Sequence, residues 1–578
     1  MASLGMSRVE RKHVRRAVLA ITTVLCSGLA APGWAQTTVD TVDENGINMT
    51  SLTYVERSED IAIGAGEFPS RLSSSRGPDN KISATINGAN NITGRLTSGL
   101  SEVFITIGSV RRRFWVYGTD FNTFYGGNGT PGHIVRSTEG GSTVFTYFSS
   151  SGEELRFVVG DATACGRYSE LAGVQNITCA RISKWTAPNG VAADFSYNVR
   201  SELFGRADET DLASVTNTLN LSLSFGYTRY KDNGNYSAPA FDVTSIVASS
   251  NQLGTCNGAV HCSRTVSYQN DVRPTSQPNA LGMQTVTYLR SFTDTSGQTT
   301  QFVRDQGSPN WPLTAIRRPA NPSVDAVRFT YGGNVYPWHS SIQVLDALGN
   351  AWAYAKDPGN SNVVTRTDPL SKSRVYVFDA NGQLIRFRDE MLKETHWQYV
   401  YLGFPPTREL RPNGGVTEWE HDNRGNVTKT TIKANPASPA ADIVTRAQYP
   451  SACGPKTCNK PISTTDARGN VTDYEYDLNH GGLLTVTAPA PASGQPRPQT
   501  RYSYGAVAGG SGLAGISSCR TTACCTGTAD ETKVTLAYGS NGLLPTTKTV
   551  QSGNAAVQST VASAYDAFGN LISEDGPL

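Results

Sequence analysis

Over the C-terminal half of this chain, polar and apolar residues alternate in runs of about seven, separated by turn signals rich in Asp, Asn and Gly. Val375-Tyr376-Val377-Phe378 and Asp473-Tyr474-Glu475-Tyr476 carry the pattern. In the second run the two tyrosines share one face and the two acids the other, as alternate residues of a strand must. No helical period follows the first 35 residues. The pattern predicts an all-β chain of hairpins.

The hairpins repeat. DALGNAWAYAKD (346–357), DPLSKSRVYVFD (368–379), RPNGGVTEWEHD (411–422) and DARGNVTDYEYD (466–477) align without gaps. All four close on an aspartate, and Asp346, Asp368 and Asp466 open three of them. The ninth position is always aromatic: Tyr354, Tyr376, Trp419 and Tyr474. The fourth is Gly349, Ser371, Gly414 or Gly469. A second turn begins at the closing aspartate, pairing Asp379 with Gly382, Asp422 with Gly425, and, one residue longer, Asp477 with Gly481. Tyr565, Asp566 and Gly569 belong to a last copy. An Asp side chain bonds to backbone two residues on, and Gly supplies the positive φ of a tight turn. The aromatic face, to which Tyr476 also belongs, cannot be buried by one hairpin. Stacked hairpins must therefore pair into a large curved sheet. Ala187-Pro188-Asn189-Gly190, followed by Phe195 and Tyr197, has the same offsets. Degenerate copies are thus expected from about residue 180.

The N-terminus has a different character. Arg8, Arg11, Lys12, Arg15 and Arg16 precede an apolar run over 17–31 and then Gly33-Trp34-Ala35. This is the pattern of a secretory signal peptide cut after Ala35. The expected organisation is a signal at 1–35, an N-terminal β-rich domain at 36–180, degenerate hairpins at 181–339 and clear repeats at 340–578. Strands are expected at 102–107 and 143–148, and Pro- and Ala-rich loops at 434–441 and 488–500.

Cysteine usage agrees with export to the periplasm, cell surface or medium. Apart from Cys26, the cysteines fall in local groups: Cys165 with Cys179, Cys256 with Cys262, Cys453 with Cys458, and Cys519 with Cys524 and Cys525. Such groups suit disulfide clips in an oxidising compartment, with one thiol of the last group left over. Zinc spacing with paired histidines is absent.

Composition narrows the function classes. Lys and Arg total 50 against 48 acids, for a net charge of +2, so no basic footprint points to nucleic acid. No run of about 18–20 apolar residues follows the signal, so no internal membrane helix is expected.

A search for chemistry finds little. The histidines form no HExxH or paired-ligand motif, and no GxSxG elbow, phosphate loop or dinucleotide fingerprint occurs. His421 occupies an alternating aromatic position, which makes it a wall residue. The repeat aspartates come about one to a turn, too sparse for a calcium loop, so they read as turn caps. Trp338, Trp397 and Trp419 could stack on sugar rings or simply stiffen the wall. No catalytic residue, cofactor or metal site is assigned.

YVFDANGQLIRF (376–387), EHDNRGNVTKT (420–430), TTDARGNVTDYEYD (464–477) and AYDAFGNLISEDGPL (564–578) resemble the YD repeats of bacterial Rhs proteins. The resemblance is good over 340–578 and loose over 180–340. It implies a β shell: in Rhs proteins and in components of insecticidal toxin complexes, YD hairpins spiral into a hollow cocoon. That cocoon encloses a toxic domain, which a core segment of the family releases by self-cleavage. This chain lacks that core segment and the toxin tip, so it is expected to be truncated relative to the family or to pair with another polypeptide. The function so implied is that of an exported, non-catalytic scaffold that encapsulates or presents a toxin or other cargo. The alternative is a cell-surface carbohydrate-binding or adhesion protein.

Overall fold

A computed structural model describes residues 42–576 except for 56–58, 65–68, 76–88, 98, 108–109, 117–120, 127–131, 150–151, 160–176, 201–208, 233–234, 251–261, 275–284, 309–310, 334–338, 381, 401–405, 423, 435–439, 453–455, 508–509, 523–524, 540–543 and 567–570. The signal segment lies outside the described residues, as do Cys165, Cys256, Cys453, Cys524, Gly569, His261 and Trp338. Every described element is a strand.

Turn chemistry sets the hairpins. At Asp346 the carboxylate Oδ1 accepts the backbone N–H of Leu348 and of Asn350, each at 2.9 Å, while Gly349 sits at φ 86°. Asp466 does the same for Arg468 and Asn470 at 2.8 Å, with Gly469 at φ 83°. Asp422 caps Arg424 and Asn426, and Asp368 caps Leu370 and Lys372. Asp379 accepts the N–H of Gln383, and Asp477 those of Asn479 and His480. Ser371 holds the glycine position at φ 63°, against the preference of an L residue. The earlier Asn189-Gly190 turn has the same form, with Val191 N–H on Asn189 Oδ1 and Gly190 at φ 91°.

The hairpins pair in series. From Ala89–Thr97 to Leu571–Asp575 all described strands join one antiparallel sheet. Its first part closes on itself, because Ile177–Thr186 pairs on one edge with Glu154–Val159 and on the other with Ala89–Thr97. The free end of the same strand, from Lys184 to Thr186, then pairs with Ala192–Arg200 and starts the long meander. Pairing continues through residues 180 and 339 without a break. Register shifts recur two residues beyond the ninth position, at Phe378, His421 and Tyr476, and at Tyr197, Tyr227, Tyr504, Tyr538 and Tyr565 of other hairpins. Each such bulge bends its strand and adds twist, so a bulge in many hairpins curves the whole sheet.

Later hairpins return beside earlier ones. Ser511 N–H donates to Asn189 O at 2.5 Å, Lys456 Nζ lies 3.6 Å from Glu154 Oε1, and Arg264 Nη2 lies 3.7 Å from Asp566 Oδ2. The sheet thus lies against itself in successive courses.

Candidate binding face

Cross-strand register traces one face of this sheet. Residues directly opposite in neighbouring strands share a face. Tyr147 pairs with Leu155, Leu155 with Trp185, and Trp185 with Ala193. The same face continues through Val215, Leu223, Ile246, Val266 and Tyr268 to Phe302, Ile316 and Phe329. It then reaches the repeat aromatics: Ile342 opposes Tyr354, Tyr354 opposes Arg366, and Val364 opposes Tyr376. Beyond them it carries Phe387, Trp397, Trp419, Tyr474 and Tyr502. Tyr474 and Tyr476 stack with ring centroids 6.5 Å apart, on the face opposite the exposed Glu475.

Along this face burial changes sharply. Leu155, Val215, Leu223, Ile246, Val266 and Tyr354 are sealed, at 0–1% exposure. Tyr376, Trp397, Trp419, Tyr474, Tyr476, Tyr502 and Tyr565 are only half-buried. The cause over the middle of the sheet is a strap formed by residues 43–75. Two small hairpins build it, Ile47–Asn48 with Thr53–Tyr54 and Glu59–Ile63 with Leu72–Ser75. Their apolar side chains Ile47, Met49, Leu52, Ile61, Ile63 and Leu72 are all at most 4% exposed. Burying each aliphatic side chain stabilises the fold by about 1.5–3 kcal/mol, an upper figure because the unfolded chain is itself partly compact.

Polar anchors fix the strap on the same face. Tyr354 Oη donates to Asp43 Oδ2 at 2.6 Å and accepts from Asn45 Nδ2 at 2.7 Å. Arg366, 5% exposed, places Nε 3.2 Å from Asp43 Oδ2 and Nη2 2.5 Å from Glu44 Oε1. Further along, Tyr268 donates to Asp60 at 2.9 Å, Tyr54 packs on Phe329 at 5.1 Å, and Asn217 Nδ2 donates to Pro69 O at 2.8 Å. Burial, followed by the Asp43 carboxylate, pushes the Tyr354 phenol far above its usual range, so it stays protonated and donating. Sequence reasoning missed this strap. Asp43-Glu44-Asn45-Gly46 carries the repeat's own turn signature, with Gly46 at φ 76°, and was the available signal.

It also missed a tyrosine clamp. Tyr197 donates its hydroxyl to Ile182 O, Tyr227 to Leu212 O, Tyr399 to Leu384 O, Tyr504 to Leu483 O and Tyr538 to Leu513 O, all at 2.8–3.0 Å. Each clamp reaches across to an earlier strand and satisfies a carbonyl there.

Between two courses lies a cleft of about 840 Å³ whose walls include Tyr125, His133, Asp422, Arg424 and Tyr449. His133 stacks between Tyr125 and Phe148. Burial, helped by the nearby Arg424 charge, lowers its pKa to about 4. Lys460 donates to Gly481 O and lies 5.3 Å from the Tyr476 ring centroid; burial lowers its pKa to about 8. His339 packs on Tyr331 at 4.4 Å, and the imidazole of His421 is largely buried, with its pKa lowered. Cys519 and Cys525 form a disulfide, and Cys458 is disulfide-bonded as well. Cys179 and Cys262 lie in strands, their side chains outside the description. Among the described residues no group of three or more His, Cys, Asp or Glu side chains is arranged to hold a metal ion.

The geometry defines an antiparallel, hairpin-built sheet with one aromatic face. No family model matches the chain, and no curated protein matches it. Among solved structures it is similar to TcdB2-TccC3-TEV, at 11% identity and a TM-score of 0.37 over 82% of this chain and 26% of that one. It is similar to the Photorhabdus luminescens Tc holotoxin pore at 11% identity and a TM-score of 0.28, over 80% of this chain and 27% of that one. A third likeness is to the N-terminal domain of effector protein SpvB from Salmonella typhimurium strain LT2, at 13% identity and a TM-score of 0.15, over 45% of this chain and 86% of that one. The chain therefore spans well under half the length of the first two.

Proposed function

We propose that this chain is a wall: an exported, non-catalytic β-shell scaffold that encloses or presents a separate or downstream polypeptide, such as a toxin domain. One observation carries the reading. A single face of a continuous sheet is sealed by the protein's own residues under the strap, and beyond Tyr376 its repeat aromatics are half-buried. Half-buried aromatic rings on a curved wall suit contact with a second chain, because rings bury much area with little rotamer loss. The Rhs-like repeats support the same reading. The turn aspartates cap backbone N–H groups, and His133 and His339 pack against aromatic rings, which supports a scaffold over an enzyme. The disulfides and the N-terminal signal pattern support export.

The test is to capture the protein natively from producing cells and challenge it with protease. The reading expects a co-purifying polypeptide that resists digestion until the wall is unfolded. Capture of this chain alone, or of companions digested as fast as free protein, would contradict it.

A further inference from the structure

The strap is held in an unusual way for a β protein. It adds no strand to the wall. Its strands pair only within its own two hairpins, and its turns carry bonds such as Asp43 N–H to Ile47 O and Val55 N–H to Gly46 O. The wall therefore grips it through side chains. The strap offers Asp43, Glu44 and Asp60 as acceptors, with aliphatic residues between. The wall answers with donors: Arg366, Arg374, Tyr354 and Tyr268. Arg374 Nη1 stands 3.9 Å from Glu44, so two guanidinium groups face the acidic pair. The partners are 309 to 322 positions apart in sequence at the Tyr354 and Arg366 anchors, which makes the strap a tethered ligand of a distant surface.

We propose that the face between Asn217 and Arg374 is a polypeptide-binding surface selective for acidic–aliphatic hairpin segments, and that residues 43–75 are its resident, exchangeable occupant. Tethering holds the strap in place at a high effective concentration, and an incoming segment of the same chemistry displaces it only when the tether is cut or outcompeted. Side-chain recognition without a shared backbone ladder is what permits exchange, since no run of sheet hydrogen bonds must break. The inference deepens the container reading by naming the chemistry of the chain that the wall accepts, and it rests on that reading.

The experiment uses the full chain with a protease site inserted within 76–88, cut after folding. A fluorescein-labelled synthetic peptide of residues 36–75 is then added and its anisotropy followed. Expected is saturable incorporation into nicked protein, competed by unlabelled peptide and absent from uncut protein. A peptide carrying D43N and E44Q should bind at least tenfold more weakly, as should the normal peptide on an Arg366→Gln wall, whereas Arg497→Gln should leave binding unchanged. If the nicked strap never exchanges, or if the neutral peptide exchanges equally well, the proposal fails. Exchange as expected in a protein that carries no companion in its producing cell would sink the container reading alone.

Discussion

Tyr354 and Tyr474 occupy the same position of the same repeat, on the same face of the same sheet, yet one is sealed and the other half-exposed. The repeat builds both strands alike; what differs is the cover. Asp43, Glu44 and Asn45 close a carboxylate–guanidinium–phenol cluster around Tyr354, whereas Tyr474 meets Thr464 and Tyr476 of its own wall. A repeat therefore specifies the wall but not what the wall holds. Burial of a repeat aromatic is a property of the occupant.

That contrast can be broken most strongly at its polar anchors. Asp43→Ala would leave the sealed Arg366 with only the exposed Glu44 as counter-charge and the Tyr354 hydroxyl without its acceptor, at a cost of about 3 kcal/mol. Asp473→Ala, on the face opposite Tyr474, removes a carboxylate whose partner Arg497 is 35% exposed, and should cost no more than about 1 kcal/mol. Urea midpoints of the two variants check this; equal losses would show that the buried strap anchor is worth no more than an exposed ion pair.

The seam between courses should respond to acid. His133 has its pKa lowered to about 4 in the folded state from 6.5, so between those values the unfolded chain binds a proton that the folded chain refuses. Stability is then highest above pH 6.5 and falls as pH drops towards 4, by up to about 3 kcal/mol. His133→Gln should flatten that slope in denaturation curves taken from pH 7 to pH 4.

The smallest effects belong to the turns. Gly469→Ala forces a side chain into φ 83° with open space around it, so only backbone strain of about 1 kcal/mol is expected. Ser371→Gly relieves the same strain and should raise the melting temperature. An unchanged melting temperature in both would show that the repeat glycines are not under conformational demand.

Much of the wall was legible in the sequence, because its determinants are local. Asp466 and Gly469 set a turn within four positions, and alternation sets the face of Tyr474 in the strand that follows. The strap was not legible, because Asp43 reads as one more turn aspartate until the chain brings Arg366 and Tyr354 to it. The closing pair between Ala89–Thr97 and Ile177–Thr186 was equally hidden, since nothing local in either strand names the other. Tyr197 looked like an alternating strand residue, and its clamp sits at a bulge that pattern alone does not place.

The central claim is that the repeat aromatic is sealed under the strap and half-exposed in the later hairpins. Hydroxyl-radical footprinting of the intact chain, read by mass spectrometry at Tyr354, Trp419 and Tyr474, tests it most directly. The account predicts slow labelling of Tyr354 and fast labelling of Trp419 and Tyr474 in the isolated chain, with the latter two protected in material captured with a companion. Equal labelling of all three in the isolated chain, or a Tyr354 labelled faster than Tyr474, would contradict it.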